Sequence, residues 1–249
     1  MLQYFLSENI KIKHTFMQKL IWLSPALLIL LSMSLTACYF QVDTYNWWYT
    51  WMLSGTLSLS CVYLSRVDGA MNNRATISLP VDLKKVWIAK VFVGIKNICI
   101  SCMIIFVAAQ LSVFIMPINS ISRIPILNGF IGIIIIIVTF IWQVPLCMFL
   151  GSKIGMFPTI ILNLAINILS VMISVGKLWW VNPFAYCDRF LCPVLKILPN
   201  GLPAEPGNPT FTPELLNTSV IPFGIGISIA LFLITTYLTA KWYEGKEAI

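Results

Sequence analysis

Long apolar runs constrain the fold of this 249-residue chain more than any other feature. A transmembrane helix needs about 20 mostly apolar residues. Six segments meet that requirement and are bounded at about 20–40, 48–64, 92–116, 129–150, 154–175 and 220–240. Charged residues make up only 10% of the chain, whereas soluble domains carry about 25%. The sequence therefore predicts an all-α integral membrane protein, with six transmembrane helices in a single domain that covers residues 1–249.

The basic residues predict the orientation of these helices. With the N-terminus in the cytoplasm, four of the 16 lysines and arginines fall in outer loops, and the other twelve fall in or beside cytoplasmic segments. The outer four are Arg123, Lys177, Arg189 and Lys196. Cytoplasmic loops carry an excess of lysine and arginine. We therefore expect both termini in the cytoplasm, and we attribute the net charge of +7 to membrane orientation rather than to nucleic-acid binding.

The end of the first apolar run permits a second interpretation. The sequence Leu-Thr-Ala-Cys, residues 35–38, is similar to a lipoprotein cleavage site with Cys38 as the lipidated residue. Cleavage there would leave five spans and keep the C-terminus in the cytoplasm. The basic leader is long for a signal peptide and contains Glu8, and the apolar run continues past Cys38. These features favour a transmembrane helix.

Several catalytic motifs are missing from the sequence. It contains no GxxxxGK[ST], so we expect no ATP hydrolysis by this chain alone. The single histidine, His14, precedes the first run, which excludes a histidine-based metal site within one chain. No aspartate or glutamate falls inside an expected span, which argues against proton-relay carriers and intramembrane acid–base enzymes. The sequence predicts a non-catalytic membrane protein without a cofactor.

The fifth run carries a stripe of polar side chains. Asn163, Asn167, Ser170 and Ser174 recur at the spacing of one helix face. Polar groups in lipid must find partners, so this face should meet another helix or a wet cavity. Hydrogen bonding between helices is the simpler interpretation, and the wall of a translocation path is the alternative.

The inner loop between the second and third runs contains SLPVDLKKVWIAK, residues 78–90. Ser78 is a suitable helix N-cap, Pro80 is tolerated in the first turn, and Asp82 suits the N-terminal end of a helix dipole. An apolar face is formed by Leu83, Val86 and Trp87. The segment therefore predicts a short, basic, amphipathic helix. Such a helix either lies on anionic headgroups or docks into a groove on a cytoplasmic partner.

The outer loop, Gly176–Ser219, is the longest polar segment. Pro199-Asn200-Gly201 predicts a turn. An amphipathic helix lying at the outer surface is indicated by Leu191, Val194, Leu195 and Leu198. We expect a structured loop that either caps the outer helix ends or meets a substrate. A disulfide between Cys187 and Cys192 is allowed there, and the sequence leaves it open.

Taken together, the chain resembles the permease subunits of type-2 ABC transporters. Residues 7–25, SENIKIKHTFMQKLIWLSP, are similar to the N-terminal elbow helix of that family, and residues 72–90, NNRATISLPVDLKKVWIAK, are similar to its coupling helix. More narrowly, YNWWYTW and the outer-loop run DRFLCPVLKILPNGLPAEPGNP resemble the permeases of lantibiotic-immunity transporters of the MutE/EpiE type.

This resemblance implies a partner, a substrate and a location. The partners are a separate ABC ATPase subunit, present as a dimer, and a second, related permease. The substrate is a lantibiotic peptide, expelled from the bacterial cell membrane to give immunity or resistance. The resemblance assigns ATPase coupling to Pro80, Asp82, Leu83, Val86 and Trp87, and the shape of the outer loop to Arg189, Asn200 and Gly201. The alternatives are a type-2 permease for another drug or peptide and a non-transport receptor or assembly protein.

Overall fold

The computed structural model describes residues 1–68, 81–115 and 123–245. These residues form mainly α-helices, most of them joined by short turns, with a longer irregular segment, 196–220, before the last helix. No named strand occurs among the described residues. The helices are α1 Leu2–Lys11, α2 Phe16–Leu35, α3 Phe40–Trp47, α4 Leu53–Arg66, α5 Leu83–Ile115, α6 Ile126–Phe140, α7 Gln143–Lys153, α8 Met156–Val175, α9 Tyr186–Leu195 and α10 Ile221–Glu244. The expectation of an all-α membrane protein is confirmed at this level.

Four of the described helices are long and apolar enough to cross a membrane, namely α2, α5, α8 and α10. The pair α6 and α7 passes the same test together, with a bend of 40° between its members, which raises the number of candidate spans to five. The expected second span, 48–64, lies in a π-helical turn, Trp48–Met52, followed directly by α4. The expectation of six spans is therefore met in part.

The N-terminal segment expected to form one elbow helix is divided between two helices. α1 ends at Lys11 and α2 begins at Phe16, and His14 between them has a left-handed φ of 66°. α1 then lies along α5, where the Lys96 ammonium donates a hydrogen bond to Asn9. The lysine inside the third apolar run is thus bound by the N-terminal helix.

The inner-loop segment 78–90 was expected to form a separate short helix, but its described part is continuous with the following long helix. Its described part, from Leu83, forms the first turns of the 33-residue helix α5. No proline follows within the helix, and its first glycine is Gly94, so nothing in the local sequence ends the helix before the apolar run. Residues 72–80, including Ser78 and Pro80, lie outside the described residues.

The outer-loop helix α9 is buried, although the sequence indicated a helix at the surface. Leu191 and Leu195, expected to face the membrane surface, are buried, and so are neighbouring polar residues. Two glycines on neighbouring helices make the space. A Cβ on Gly132 of α6 would lie 2.8 Å from Leu195, and one on Gly224 of α10 would overlap the Phe190 ring. We call α9 the inserted helix because it is packed between α6 and α10.

Candidate functional site

Four charged side chains form a cluster where the inner loop leaves the helices. The Lys90 ammonium lies 2.7 Å from Asp68 and 3.0 Å from Glu8, and Lys11 lies 3.0 Å from Asp68 and 2.6 Å from Glu8. Lys90 is only 1% exposed and also donates to the Leu64 carbonyl oxygen. This ion cluster joins α1, the residues after α4 and the start of α5.

The ion cluster is electrically balanced, since two lysines face two carboxylates. Burial raises the pKa of Asp68, but the ammonium groups of Lys90 and Lys11 lower it by a larger amount. The pKa of Asp68 therefore lies below its ordinary value of 3.8. Removing one member of a buried ion pair is strongly destabilising, because the remaining charge loses its compensation. The cluster therefore fixes α1 against the two helices that flank the inner loop.

Trp87 lies in an aromatic cluster beside the ion cluster. Its ring centroid is 4.8 Å from that of Tyr243 and 5.7 Å from that of Trp242, and its indole N–H donates to Thr239 Oγ1 at 2.9 Å. All three partners lie on α10. The Trp87 side chain is fully buried, so it ties the start of α5 to the end of α10 instead of forming an exposed docking face.

The residues assigned to ATPase coupling therefore divide into two groups. Val86 and Trp87 are buried, because other parts of the chain cover that face of α5. Leu83 is half-buried, and Asp82 is exposed in an ion pair of 2.9 Å with Lys85. The Asp82 backbone N–H points to the Tyr4 hydroxyl of α1 at 3.4 Å. Pro80 lies outside the described residues.

The polar stripe of α8 points inward, and all four of its residues are buried. The Asn163 amide donates to the Ser54 carbonyl oxygen of α4 at 3.2 Å. Asn167 and Gln143 of α7 exchange amide hydrogen bonds at 3.2 and 3.4 Å. Ser170 accepts a hydrogen bond from Asn182 at 2.8 Å. The Ser174 carbonyl oxygen also accepts one, from the Arg189 guanidinium. The stripe thus makes hydrogen bonds between segments of the chain.

The inserted helix brings two charged residues into the interior. The Arg189 guanidinium donates to the carbonyl oxygens of Ser174 and Glu214, at 3.4 and 2.9 Å, and lies 5.4 Å from the Trp179 ring centroid. Asp188 is 3% exposed, and its Oδ1 has no hydrogen-bond partner among the described residues. The sequence placed Asp188 in a loop, so its burial was missed.

The outer turn forms where the sequence predicts it. Asn200 Oδ1 accepts the Leu202 backbone N–H at 3.1 Å, and Gly201 has a left-handed φ of 85°. A Cβ on Gly201 would lie 3.2 Å from the Asn46 side chain of α3. The Asn46 amide also lies 3.5 Å from the Pro199 carbonyl oxygen. Asn200 therefore shapes the turn, and Gly201 and Pro199 place the turn against α3.

All seven cysteines are unbridged, Cys187 and Cys192 included. Among the described residues, no group of histidine, cysteine, aspartate and glutamate side chains is arranged to hold a metal ion.

The class that the fold and these sites define is a multi-pass, all-helical membrane protein whose apolar core contains hydrogen-bonded polar side chains and whose inner-loop end carries a buried ion cluster. No protein-family description, curated protein or solved structure matches the chain.

Proposed function

We propose that the chain is the membrane permease subunit of an ATP-driven transporter that expels lantibiotic-type peptides from a bacterial membrane. One observation supports the coupling part of the proposal, and the substrate class rests on the sequence resemblance alone. Both flanks of segment 69–80 are held by the same packed structure, Asp68 through Lys11 and Lys90, and Asp82 through Tyr4. A partner that moves this segment would therefore move α1, α4 and α5 together, and Trp87 extends the connection to α10.

We propose six passes with both termini on the cytoplasmic side, an arrangement in which three contacts mark the two ends of the bundle. Lys11 and Asp68 meet at one end of the bundle, and at the other end the Gln41 side chain exchanges hydrogen bonds with the Ile124 backbone. α10 returns to the first end, where Glu244 lies 2.8 Å from Lys84. An even number of passes brings the two termini to one end, and the excess of basic residues assigns that end to the cytoplasm.

In this proposal a separate ATPase subunit contacts segment 69–80 together with the exposed Asp82 and Lys85. Val86 and Trp87 act behind that surface, passing the movement to α10 through the aromatic cluster. The polar stripe of α8 is hydrogen-bonded to α4 and α7 in this arrangement. A movement of α8 away from those two helices would expose the stripe. Two ATPase subunits and a second permease complete the transporter.

The experiment is a mild-detergent pull-down of the tagged chain from its native membranes. We expect a P-loop ATPase subunit to co-purify with the wild type and to be reduced by Asp82→Arg, which reverses an exposed charge at the proposed contact. Glu205→Arg makes the same reversal on an exposed outer-loop residue and is the matched control. Failure of any P-loop subunit to co-purify with the wild type under several mild conditions overturns the transporter assignment.

The substrate class has a separate test. The reconstituted complex is given a lanthionine-bridged peptide and a linear peptide of the same length and charge, and ATP hydrolysis is measured. We expect stimulation by the bridged peptide alone. If the ATPase subunit is bound but neither peptide stimulates ATP hydrolysis, the lantibiotic assignment is wrong, and the chain is a type-2 permease for another drug or peptide. A receptor or assembly protein predicts no ATPase partner at all.

A further inference from the structure

A cavity of about 460 Å³ lies beside the ion cluster, on the outside of the helix bundle. It is bounded by the turn between α1 and α2, the last turns of α4 and the first residue of α8. Two basic side chains, Lys11 and Arg66, line it together with Val62, Tyr63 and Met156. The cavity thus combines positive charge with an apolar wall.

One of the two positive charges in this cavity lacks a carboxylate partner in the part of the chain that the structure describes. Lys11 belongs to the balanced ion cluster, whereas Arg66 is exposed and has no carboxylate partner among the described residues. The Arg66 guanidinium lies 3.5 Å from where a Cβ on Gly155 would be, beside the N-terminus of α8. α8 has no acidic residue in its first turn. A guanidinium next to the positive end of a helix dipole favours the binding of an anion between them.

The wall of the cavity continues onto an exposed apolar surface. Tyr63 is 38% exposed and Phe16 is 46% exposed, and their ring centroids are 6.2 Å apart. Phe16 begins α2, and Tyr63 lies in the last turns of α4. A half-exposed tyrosine at a helix end is typical of the boundary between headgroups and acyl chains, and the Phe16 ring adds apolar surface beside it.

We propose that this cavity binds the phosphate group of an anionic phospholipid from the adjoining leaflet. Arg66 holds the phosphate, because a guanidinium presents paired N–H donors that match phosphate oxygens. Lys11 lines the same cavity but is already paired with Glu8 and Asp68, so Arg66 supplies the positive charge for the phosphate. The acyl chain lies along Tyr63 and Phe16. A free phosphate would use the same cation but would gain nothing from the aromatic surface. The site requires only that this end of the bundle meets a membrane surface, so it does not depend on the transport proposal.

The test is native mass spectrometry of the full chain in detergent, titrated with phosphatidylglycerol, phosphatidylcholine or inorganic phosphate. We expect selective binding of phosphatidylglycerol. Arg66→Gln should weaken that binding about tenfold, which corresponds to about 1.4 kcal/mol. Arg66→Lys should weaken it less, since it keeps the charge but loses the paired donors. Lys19→Gln removes an exposed positive charge at the same end of the molecule, outside the cavity, and should leave binding unchanged.

Each other outcome overturns the proposal. Equal losses in Arg66→Gln and Lys19→Gln would mean that general surface charge attracts the lipid. Displacement of phosphatidylglycerol by inorganic phosphate at equal concentration would assign the site to a soluble anion. Thermal unfolding of each variant without added lipid establishes that the variant is folded. If Arg66→Gln does not fold, the loss of phosphatidylglycerol binding in Arg66→Lys tests the proposal instead.

Discussion

At the scale of single residues, the burial of Trp87 changes the role that its sequence position suggested. Its apolar face was expected to dock into a partner, but Thr239, Trp242 and Tyr243 of its own chain cover it. The residue therefore acts on stability first. Any effect on a partner must pass through the packing between α5 and α10.

We predict that Trp87→Glu lowers the free energy of unfolding by at least about 3 kcal/mol, because it removes a large buried ring and buries a charge. Trp87→Phe should cost about 1 kcal/mol, mainly through the lost hydrogen bond to Thr239. Thermal unfolding in detergent measures both, with Trp180→Phe at a 56% exposed position as the control. An unchanged melting temperature for Trp87→Glu would restore the surface interpretation.

Asp68 gives a prediction about pH. Its pKa in the folded chain is lowered below 3.8, so its contribution to stability is fully present above that value. The contribution is lost as the pH falls from 3.8 through the lower folded pKa. We expect α1 to become susceptible to proteolysis at the turn near His14 over that pH interval. Asp68→Asn should remove most of this pH dependence, and an identical profile in that variant would contradict the assignment.

At the scale of helices, the inserted helix depends on small residues in its neighbours. We predict that Gly224→Ala destabilises the chain by about 1–3 kcal/mol, because the added methyl group overlaps Phe190. Gly226→Ala is the matched control on the same helix, since a Cβ there has nothing within 4 Å. Thermal unfolding and the thiol reactivity of the buried Cys187 and Cys192 report the displacement of α9.

A double variant separates overlap from other causes. Phe190→Leu removes the ring that meets position 224, so combining it with Gly224→Ala should cost less than the two single changes added together. Strict additivity would show that Gly224 is needed for a reason other than its contact with Phe190.

The sequence predicted some helices well because their signals are local. The spacing of Asn163, Asn167, Ser170 and Ser174 gave the buried face of α8, and the apolar runs placed α5, α8 and α10. Periodicity identifies a face but does not say what covers it, which is why the partners of Trp87 were missed. The burial of Asp188 depends on space left by Gly132 and Gly224, residues far from it in the chain.

At the scale of the whole molecule, the reactivity of the Cys38 thiol can be used to test the membrane topology. It is the one exposed cysteine of the seven, and it lies at the end of the first span. We predict that a membrane-impermeant thiol reagent labels Cys38 in intact cells, whereas Lys13→Cys in a Cys38→Ser background is labelled only after permeabilisation. Labelling of the Lys13→Cys variant in intact cells would reverse the orientation.

The same experiment separates the transmembrane interpretation of the first run from lipoprotein cleavage. A lipidated Cys38 has no free thiol, so it would resist labelling, and the mature chain would be shorter by the preceding residues. We expect a free thiol and the full mass.

The position of the inserted helix has a consequence for biogenesis. During synthesis α6 and α8 precede α9, but α10, which supplies the wall against Phe190, leaves the ribosome last of the four. Before α10 is synthesised, the side of α9 that carries Phe190 has no neighbouring helix to cover it. We therefore expect the insertion of α10 to complete the packing of α9, so that a protease or chaperone that recognises incomplete chains would meet an uncovered α9 only before that step.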